Sequence, residues 1–218
     1  MKLSVVLPEL DAGSALAATL AILGADCEIL VVDGGSKTPP QVGANMRVLS
    51  APRGRGTQLA AGAAAAGGDW LLFLHADTVL SPAWRDAVAA FAADPANAEK
   101  AGYFKLAFAT ANPRGARVAA LANWRARALG LPYGDQGILL ARAFYEKLGG
   151  YRPLPLMEDV DLVRRIGKRR LVELPAIATT SAERYERDGW RLRPLRNLFC
   201  LALYFAGVPP RAIARLYR

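Results

Sequence analysis

Three short polar segments each follow an apolar run directly: Pro8-Glu9-Leu10-Asp11, Asp33-Gly34-Gly35-Ser36 and His75-Ala76-Asp77. Asp77 is suited to hold Mg2+ or Mn2+ against a diphosphate, because hard cations take oxygen ligands and keep substrate phosphates in their shell. The plainer reading, a cap on a helix starting near Pro82, has five residues to reach across. Asp33 can accept hydrogen bonds from a base or ribose, and Gly34 and Gly35 let a ligand approach the backbone. A glycine-rich turn with a local Asp cap is the alternative there. His75 is the one histidine of the chain; it is a second metal ligand, a phosphate donor or a structurally satisfied residue.

A basic segment complements these acids. Pro52-Arg53-Gly54-Arg55-Gly56 precedes a helix beginning near Thr57. Its glycines free the backbone, the helix start offers unpaired N–H groups, and Arg53 and Arg55 add charge, which together make an anion site. A solvated basic turn is the alternative. The spacing of a P-loop is absent, and no GxGxxG follows a strand. Further along, Glu158-Asp159-Val160-Asp161 opens a helix that runs into Arg164-Arg165. Acids in a first turn complement the helix dipole; one aimed into a cleft serves as a general base. The Gly134-Asp135-Gln136-Gly137 tetrad is a candidate acceptor-side loop, through Asp135 and Gln136. Thr179-Thr180-Ser181 with Arg184 and Trp190 either closes over phosphates or forms a solvated loop.

The elements that must position these residues follow from periodicity. Strands are predicted at 3–7, 28–32, 47–50 and 70–74, with helices at 14–23 (Ser14 as its cap), 57–66 and 82–93. Strands separated by helices imply βαβ units and a mainly parallel sheet. Ligands of such sheets bind beyond the carboxyl ends of the strands, so the three polar segments are expected to meet at one edge. The second half reads as a strand at 103–108, a helix at 114–129, a short strand at 137–141, a helix at 157–166 and a strand at 171–174. Helices at 192–206 and 210–217 follow. The Ala/Gly-rich run 60–68 implies close helix–sheet packing.

Composition bounds the reading. A chain of 218 residues, 53% hydrophobic and 22% charged, is expected to form one domain with a sizeable core. Cys27 and Cys200 lie far apart, which argues against a zinc site or disulfide scaffold and suits a reducing cytoplasm. The apolar run after Lys2 is too short for a signal peptide, and no window approaches a membrane span. The net charge of +9 is lopsided. Residues 1–109 carry 8 Lys and Arg against 10 Asp and Glu, and residues 110–218 carry 20 against 9. The basic half favours nucleotide phosphates, acidic lipid headgroups or nucleic acid. The apolar 198–205 run, flanked by Arg191, Arg193, Arg196, Arg211, Arg215 and Arg218, is either an anionic-membrane contact leading to a lipid-linked acceptor, a capped core helix or a subunit contact.

Taken in order, Ser4-Val5-Val6-Leu7-Pro8, Val31-Val32-Asp33-Gly34-Gly35-Ser36, the 52–56 loop, the 68–77 strand and Glu158-Asp159 resemble the family-2 glycosyltransferases over essentially the whole chain. The strings at 52–59, 71–78, 134–137 and 154–162 are similar to a bacterial subgroup described as radical-SAM/selenodomain-associated transferase 2. The resemblance implies a single α/β domain of the GT-A (nucleotide-diphospho-sugar transferase) fold, with a nucleotide-binding part at about 1–109 and an acceptor-side part and C-terminal helices at about 110–218. It also implies a nucleotide-sugar donor with UDP favoured, Mg2+ or Mn2+, and inversion at the anomeric carbon. Asp33 matches the nucleoside-binding aspartate, Asp77 the last acid of the DxD-type metal motif, Asp159 the catalytic base and Glu158 its support. Pro8, Glu9, Asp11, Gly34, Arg53, Arg55, Gly56 and Ala76 fall on the donor side. Arg184 and Trp190 loosely echo the Gln-x-x-Arg-Trp signature of processive members, so no polymerising synthase is expected. Two positions depart from the pattern: His75 stands at the first DxD acid, and Glu9-Leu10-Asp11 replaces Thr-x-Asn-Glu.

A Mg2+-dependent nucleotidyltransferase is the first rival; it calls for a Gly-rich, Arg-bearing loop after the first strand, where this chain has Glu9-Leu10-Asp11. The second is a non-catalytic basic module on membrane or nucleic acid. No RNA-binding signature or aromatic stacking platform is present, so no nucleic-acid partner is expected. The chain is expected to be cytoplasmic, with peripheral contact at the inner face of the membrane as a variant, and homo-oligomerisation is left open.

Overall fold

The computed structural model describes residues 1–44 and 46–217. Apolar runs of the first half form parallel strands β1 (Leu3–Glu9), β2 (Glu28–Asp33), β3 (Met46–Ser50) and β4 (Trp70–Phe73). They are joined by helices α1 (Ser14–Leu23) and α2 (Arg55–Ala65). After β4 come β5 (Thr78–Leu80), α3 (Trp84–Ala93), β6 (Ala101–Ala109), α4 (Pro113–Leu129), β7 (Ile138–Ala141), α5 (Arg142–Lys147) and α6 (Glu158–Ile166). The chain ends in β8 (Leu171–Ser181), α7 (Glu183–Asp188), α8 (Leu192–Phe205) and α9 (Pro210–Leu216).

One eight-stranded sheet results, in the order β3-β2-β1-β4-β7-β6-β8-β5. The β1–β4 half is parallel as predicted, and β7 enters antiparallel between β4 and β6, making the whole sheet mixed. The register explains why the site assembles at one edge. Phe73 pairs with Ile138, so the segment before β7 lies beside the segment after β4. β8 runs parallel to β6, and β5 turns back along it with Thr78 opposite Thr180. The ends of β1, β2, β4, β6 and β8, and the beginnings of β5 and β7, therefore share one rim.

Alternation along β1 divides the core. Val6 joins Leu30, Val32, Leu59 and Leu162 on one face, with Cys200 and Ile213 of the last two helices. Val5 and Leu7 join Leu16, Leu20, Trp84 and Phe91 on the other. The Ala/Gly run behaves as its composition implies: a Cβ on Gly62 would collide with Val6 Cγ1 and lie 2.9 Å from Val32 Cγ2. Only a glycine lets α2 ride this close to the sheet. Several details differ from the sequence reading, among them β5, α5 and α7, which it did not contain. Gly13, not Ser14, caps α1, and it does so without a side-chain bond. The strand predicted at 171–174 continues to Ser181, past a register shift at Phe104/Lys105. Thr179-Thr180-Ser181 is therefore strand rather than loop.

Candidate active site

The first two strand ends are knitted together by a serine. Glu9 is buried, with Oε1 accepting from Ala12 N–H at 2.7 Å and Oε2 from the Ser36 hydroxyl at 2.5 Å. Asp33 Oδ1 accepts from Ser36 N–H at 2.8 Å and Gly35 N–H at 3.1 Å, and lies 2.7 Å from the Ser36 hydroxyl, whose single proton it shares with Glu9. Burial pushes the Asp33 carboxyl up, but these bonds outweigh it and hold the group below its ordinary range. Asp11, in the left-handed region at φ 53°, accepts from Lys37 N–H and so ties the two turns again. Gln58, buried on α2, donates to the carbonyls of Glu9 and Val32, both at 2.7 Å. A Cβ on Gly34 would touch that side chain at 3.0 Å.

The first turn of α2 docks on α6. Arg55 Nε pairs with Glu158 Oε1 at 2.9 Å, and the Glu158 side chain is only 2% exposed. The charge of Glu158 raises the Arg55 pKa further and keeps the guanidinium protonated; burial pushes Glu158 up while Arg55 opposes that. Gly56 permits the docking, since a Cβ there would strike the Arg152 carbonyl. Arg55 Nη1 also lies 3.4 Å from His75 Nε2. A guanidinium only donates, so Nε2 is the unprotonated nitrogen. Burial, then the charges of Arg55 and Arg184, hold His75 well below its usual pKa, so it is neutral.

Chain reversal at Met157, a non-glycine residue at φ 66°, sets the start of α6. Such a conformation is costly and persists where the surroundings enforce it. It separates the three acids by role. Glu158 turns inward to Arg55. Asp161 pairs with Arg165 at 2.6 Å, one turn on, and with Arg152 at 3.1 Å. Asp159 faces the rim, with Oδ2 accepting from Gly134 N–H at 2.9 Å and Oδ1 from Val160 N–H at 2.7 Å. Gly134 is wedged between: a Cβ there would lie 2.5 Å from His75 Nε2.

Two adjoining hollows open at this rim. The first, of about 120 Å³, is lined by Asp77, Asp135 and Asp159, by Arg55, Arg184 and Arg193, and by Phe108, Tyr133, Tyr185 and Tyr217. The second is a groove of about 470 Å³ lined by Pro8, Glu9, Asp11, Arg53, Ala76 and Asp77. Arg55, His75, Asp77, Leu156, Ser181, Arg184 and Tyr217 line both. Asp77 Oδ1 accepts from the Thr180 hydroxyl at 3.4 Å. Asp33, Gly34 and Gly56 line neither hollow and act through their neighbours. Gln136 is buried beneath the loop and donates to the Phe104 carbonyl at 3.1 Å. Trp190 stacks behind Tyr185 with ring centres 5.1 Å apart and meets Phe108 edge-on.

Tyr133, Tyr185, Asn197, Tyr217 and Gln58 were not singled out in the sequence, and Arg193 only as a flank of the apolar 198–205 run. The places of Tyr185, Arg193, Asn197 and Tyr217 depend on how α7, α8 and α9 fold back over the rim. Arg193, 6% exposed, pairs with Asp188 at 2.5 Å and donates to the Tyr217 hydroxyl at 2.7 Å, which brings the last helix to the hollow. Burial pushes both Tyr133 and Tyr185 up to about 12, so both remain hydroxyl donors at neutral pH.

Asp135 is the strained acid of the site. Its Oδ1 is buried without a hydrogen-bond partner among the described residues. Burial, and the charges of Asp159 and Asp77 against those of Arg125 and Arg55, push it up to about 6. The folded chain thus holds a proton that the unfolded chain has already lost, and stability falls as pH rises from about 4 to about 6. Asp135→Asn is expected to flatten that fall and to stabilise the chain at pH 7.5 by about 1–2 kcal/mol. Urea unfolding at pH 4.5 and 7.5 checks this; equal pH dependence in the two proteins would contradict it.

Among the described residues no group of three or more His, Cys, Asp and Glu encloses a metal position. The donor set suits an ion bound by a single carboxylate and completed by substrate phosphates, which is how Mg2+ is commonly held.

A mixed α/β sheet flanked by helices, with acids and arginines gathered at the strand ends, is the GT-A glycosyltransferase architecture. The family model described as Glycosyl transferase family 2 matches residues 4–129, and the chain belongs to that family. The fold is similar to S. aureus TarS 1-349 in complex with UDP-GlcNAc, at 16% identity and a TM-score of 0.61 over 83% of this chain and 59% of that one. It is also similar to GalNAc-T7 with UDP, GalNAc and Mn2+, at 15% identity and a TM-score of 0.62 over 83% of this chain and 44% of that one. The chain spans between 35% and 62% of the lengths of the structures compared. No curated protein sequence matches it.

Proposed function

We propose that the chain transfers a sugar from a nucleotide diphosphate donor to an acceptor hydroxyl, with inversion at the anomeric carbon. The observation that carries this reading is the junction of the two hollows at Asp77: a groove with Arg53 and Arg55 on one side, and Asp159 beside an aromatic hollow on the other. The groove suits the donor. Glu9 and Asp11 line the end assigned to the nucleoside, with Asp33 tied to Glu9 through Ser36 behind them. α2 begins at the groove without a side-chain cap, leaving first-turn N–H groups for an anion. TarS and GalNAc-T7 structures contain UDP or UDP-GlcNAc, which supports a uridine nucleotide as the first donor to test.

The chemistry is a single displacement. The acceptor oxygen bonds to the anomeric carbon as the carbon–phosphate-oxygen bond breaks, and the electron pair leaves with the nucleoside diphosphate. Asp159 takes the acceptor proton, a contribution of about 10²–10⁴-fold for a positioned base. Arg55 and Arg184, lining both hollows, lie where the departing charge develops. Asp77 would hold Mg2+ or Mn2+, and such an ion neutralises the diphosphate when bound. Neutral His75, engaged by Arg55, braces that guanidinium rather than supplying a metal ligand.

A thermal-shift screen of nucleoside diphosphates with and without Mn2+ tests the reading. UDP is expected to raise Tm more with Mn2+ than without it, and Asp77→Ala is expected to remove the Mn2+-dependent part. Stabilisation by no nucleoside diphosphate would refute the donor site. In turnover assays, release of pyrophosphate instead of a nucleoside diphosphate would identify a nucleotidyltransferase.

A further inference from the structure

We infer that α8 is a membrane-surface helix that seats the acceptor side of the rim on an anionic bilayer. α8 has two apolar faces, and its fold uses only one. Cys200 and Leu201 are buried on the inner face, where Arg193 and Asn197 line the 120 Å³ hollow. On the outer face Leu192, Leu195, Leu198, Phe199 and Phe205 are between 50% and 71% exposed. The spacings 192-195-199 and 198-205 place them on one arc, and exposed Ala202 and Ala206 fill the space between. No charged side chain of the helix falls on that arc. An ordinary surface helix is polar on its solvent side, so this face is built to be covered.

The charge around it selects the cover. From Gly189 to Tyr217 the chain has five arginines and no acid. Arg191, one turn before Leu195, and Arg211 and Arg215 on α9 are exposed. Arg164 of α6 holds its guanidinium 5.0 Å above the Phe205 ring, which places a cation on the patch itself. Arg218 lies outside the described residues. An apolar stripe rimmed by arginines is the pattern of a helix lying in the lipid interface, with anionic headgroups pairing the cations. A second copy of the chain would instead set arginines against arginines, with no acid in the segment to pair them. At 14 residues α8 is about 21 Å long, too short to span a bilayer; among the described residues no helix is long and apolar enough to do so.

Because Arg193 and Asn197 project from the opposite side of the same helix, docking brings the aromatic hollow within about one helix diameter, 10–12 Å, of the headgroups. A lipid-anchored hydroxyl is then within reach of Asp159. That consequence rests on the transfer reading; the docking itself does not.

Flotation of the full chain tests the docking. With phosphatidylglycerol–phosphatidylcholine vesicles at low salt the chain is expected to float, and to do so far less with phosphatidylcholine alone or at about 0.5 M salt, where charges are screened within about 5 Å. Leu195→Gln/Phe199→Gln, both exposed sites, is expected to weaken anionic-vesicle binding at least about tenfold while leaving circular dichroism and UDP binding unchanged. Arg211→Gln/Arg215→Gln is expected to weaken it by a similar factor at low salt only. No flotation on anionic vesicles, or equal flotation of the Leu195/Phe199 variant, would overturn the inference. So would a dimer that this variant dissociates in the absence of any vesicle binding, because the face would then belong to a second copy. Flotation without any UDP binding would sink the transfer reading alone.

Discussion

Asp159→Asn is expected to lower sugar transfer by about 10²–10⁴-fold while nucleotide affinity changes by less than about threefold. The amide keeps the shape of the carboxylate but cannot take the acceptor proton. It also has one acceptor oxygen where Asp159 uses two, toward Gly134 N–H and Val160 N–H. One N–H therefore loses its partner, and stability is expected to drop by about 1 kcal/mol. Steady-state kinetics alongside nucleotide titration separate the two effects. If kcat falls and donor affinity survives, the base assignment stands. Transfer at the wild-type rate would refute it, and a parallel loss of donor affinity would mean that Asp159 shapes the site without taking part in chemistry.

The second large effect concerns Arg55. Arg55→Ala leaves Glu158, 2% exposed, without its cation. Stranding a buried charge typically costs about 3–5 kcal/mol. About a third of the Arg55 side chain is open to water, so the expected loss is smaller, about 2–3 kcal/mol. The sign with pH is determined by Glu158, which burial already pushes above its ordinary range and which the variant frees from its opposing charge. The folded variant keeps a proton that the unfolded chain releases near pH 4.5, so its stability falls as pH rises from there. Adding Glu158→Gln removes that charge and is expected to restore most of the stability. It is not expected to restore donor binding, because the guanidinium between the two hollows is still missing. Denaturant unfolding of the single and double variants, with UDP titrations, decides between these contributions. Full recovery of binding in the double variant would reduce Arg55 to a structural role.

The first half of the fold was legible because each strand is a continuous apolar run and each helix an Ala/Leu-rich stretch between turns. Bounds differ there by one or two residues. The remaining elements were harder for physical reasons. β5 is three residues, Thr78 to Leu80, too short for any periodicity, and it exists because β8 offers it an edge. β8 extends past Pro175 because a register shift against β6 absorbs the irregularity. At the site, Asp77, Arg55 and Asp159 could be picked out because each stands beside an element boundary that its neighbours define. The same reasoning placed Gln136 on the acceptor side, whereas its side chain is turned beneath the loop. Tyr133 is held by Arg125, whose guanidinium lies 3.4 Å over the ring. Tyr217 is held by Arg193 across 24 residues. Such placements arise from helix docking, which no local spacing encodes.

A crystal structure of the chain with UDP and Mn2+ tests the central claim most directly. The account requires the diphosphate at the junction of the two hollows, between Asp77 and the pair Arg53 and Arg55, with the uracil toward Glu9 and Asp11. Nucleotide bound on any other surface, or a diphosphate facing away from Asp77 and Asp159, would contradict it.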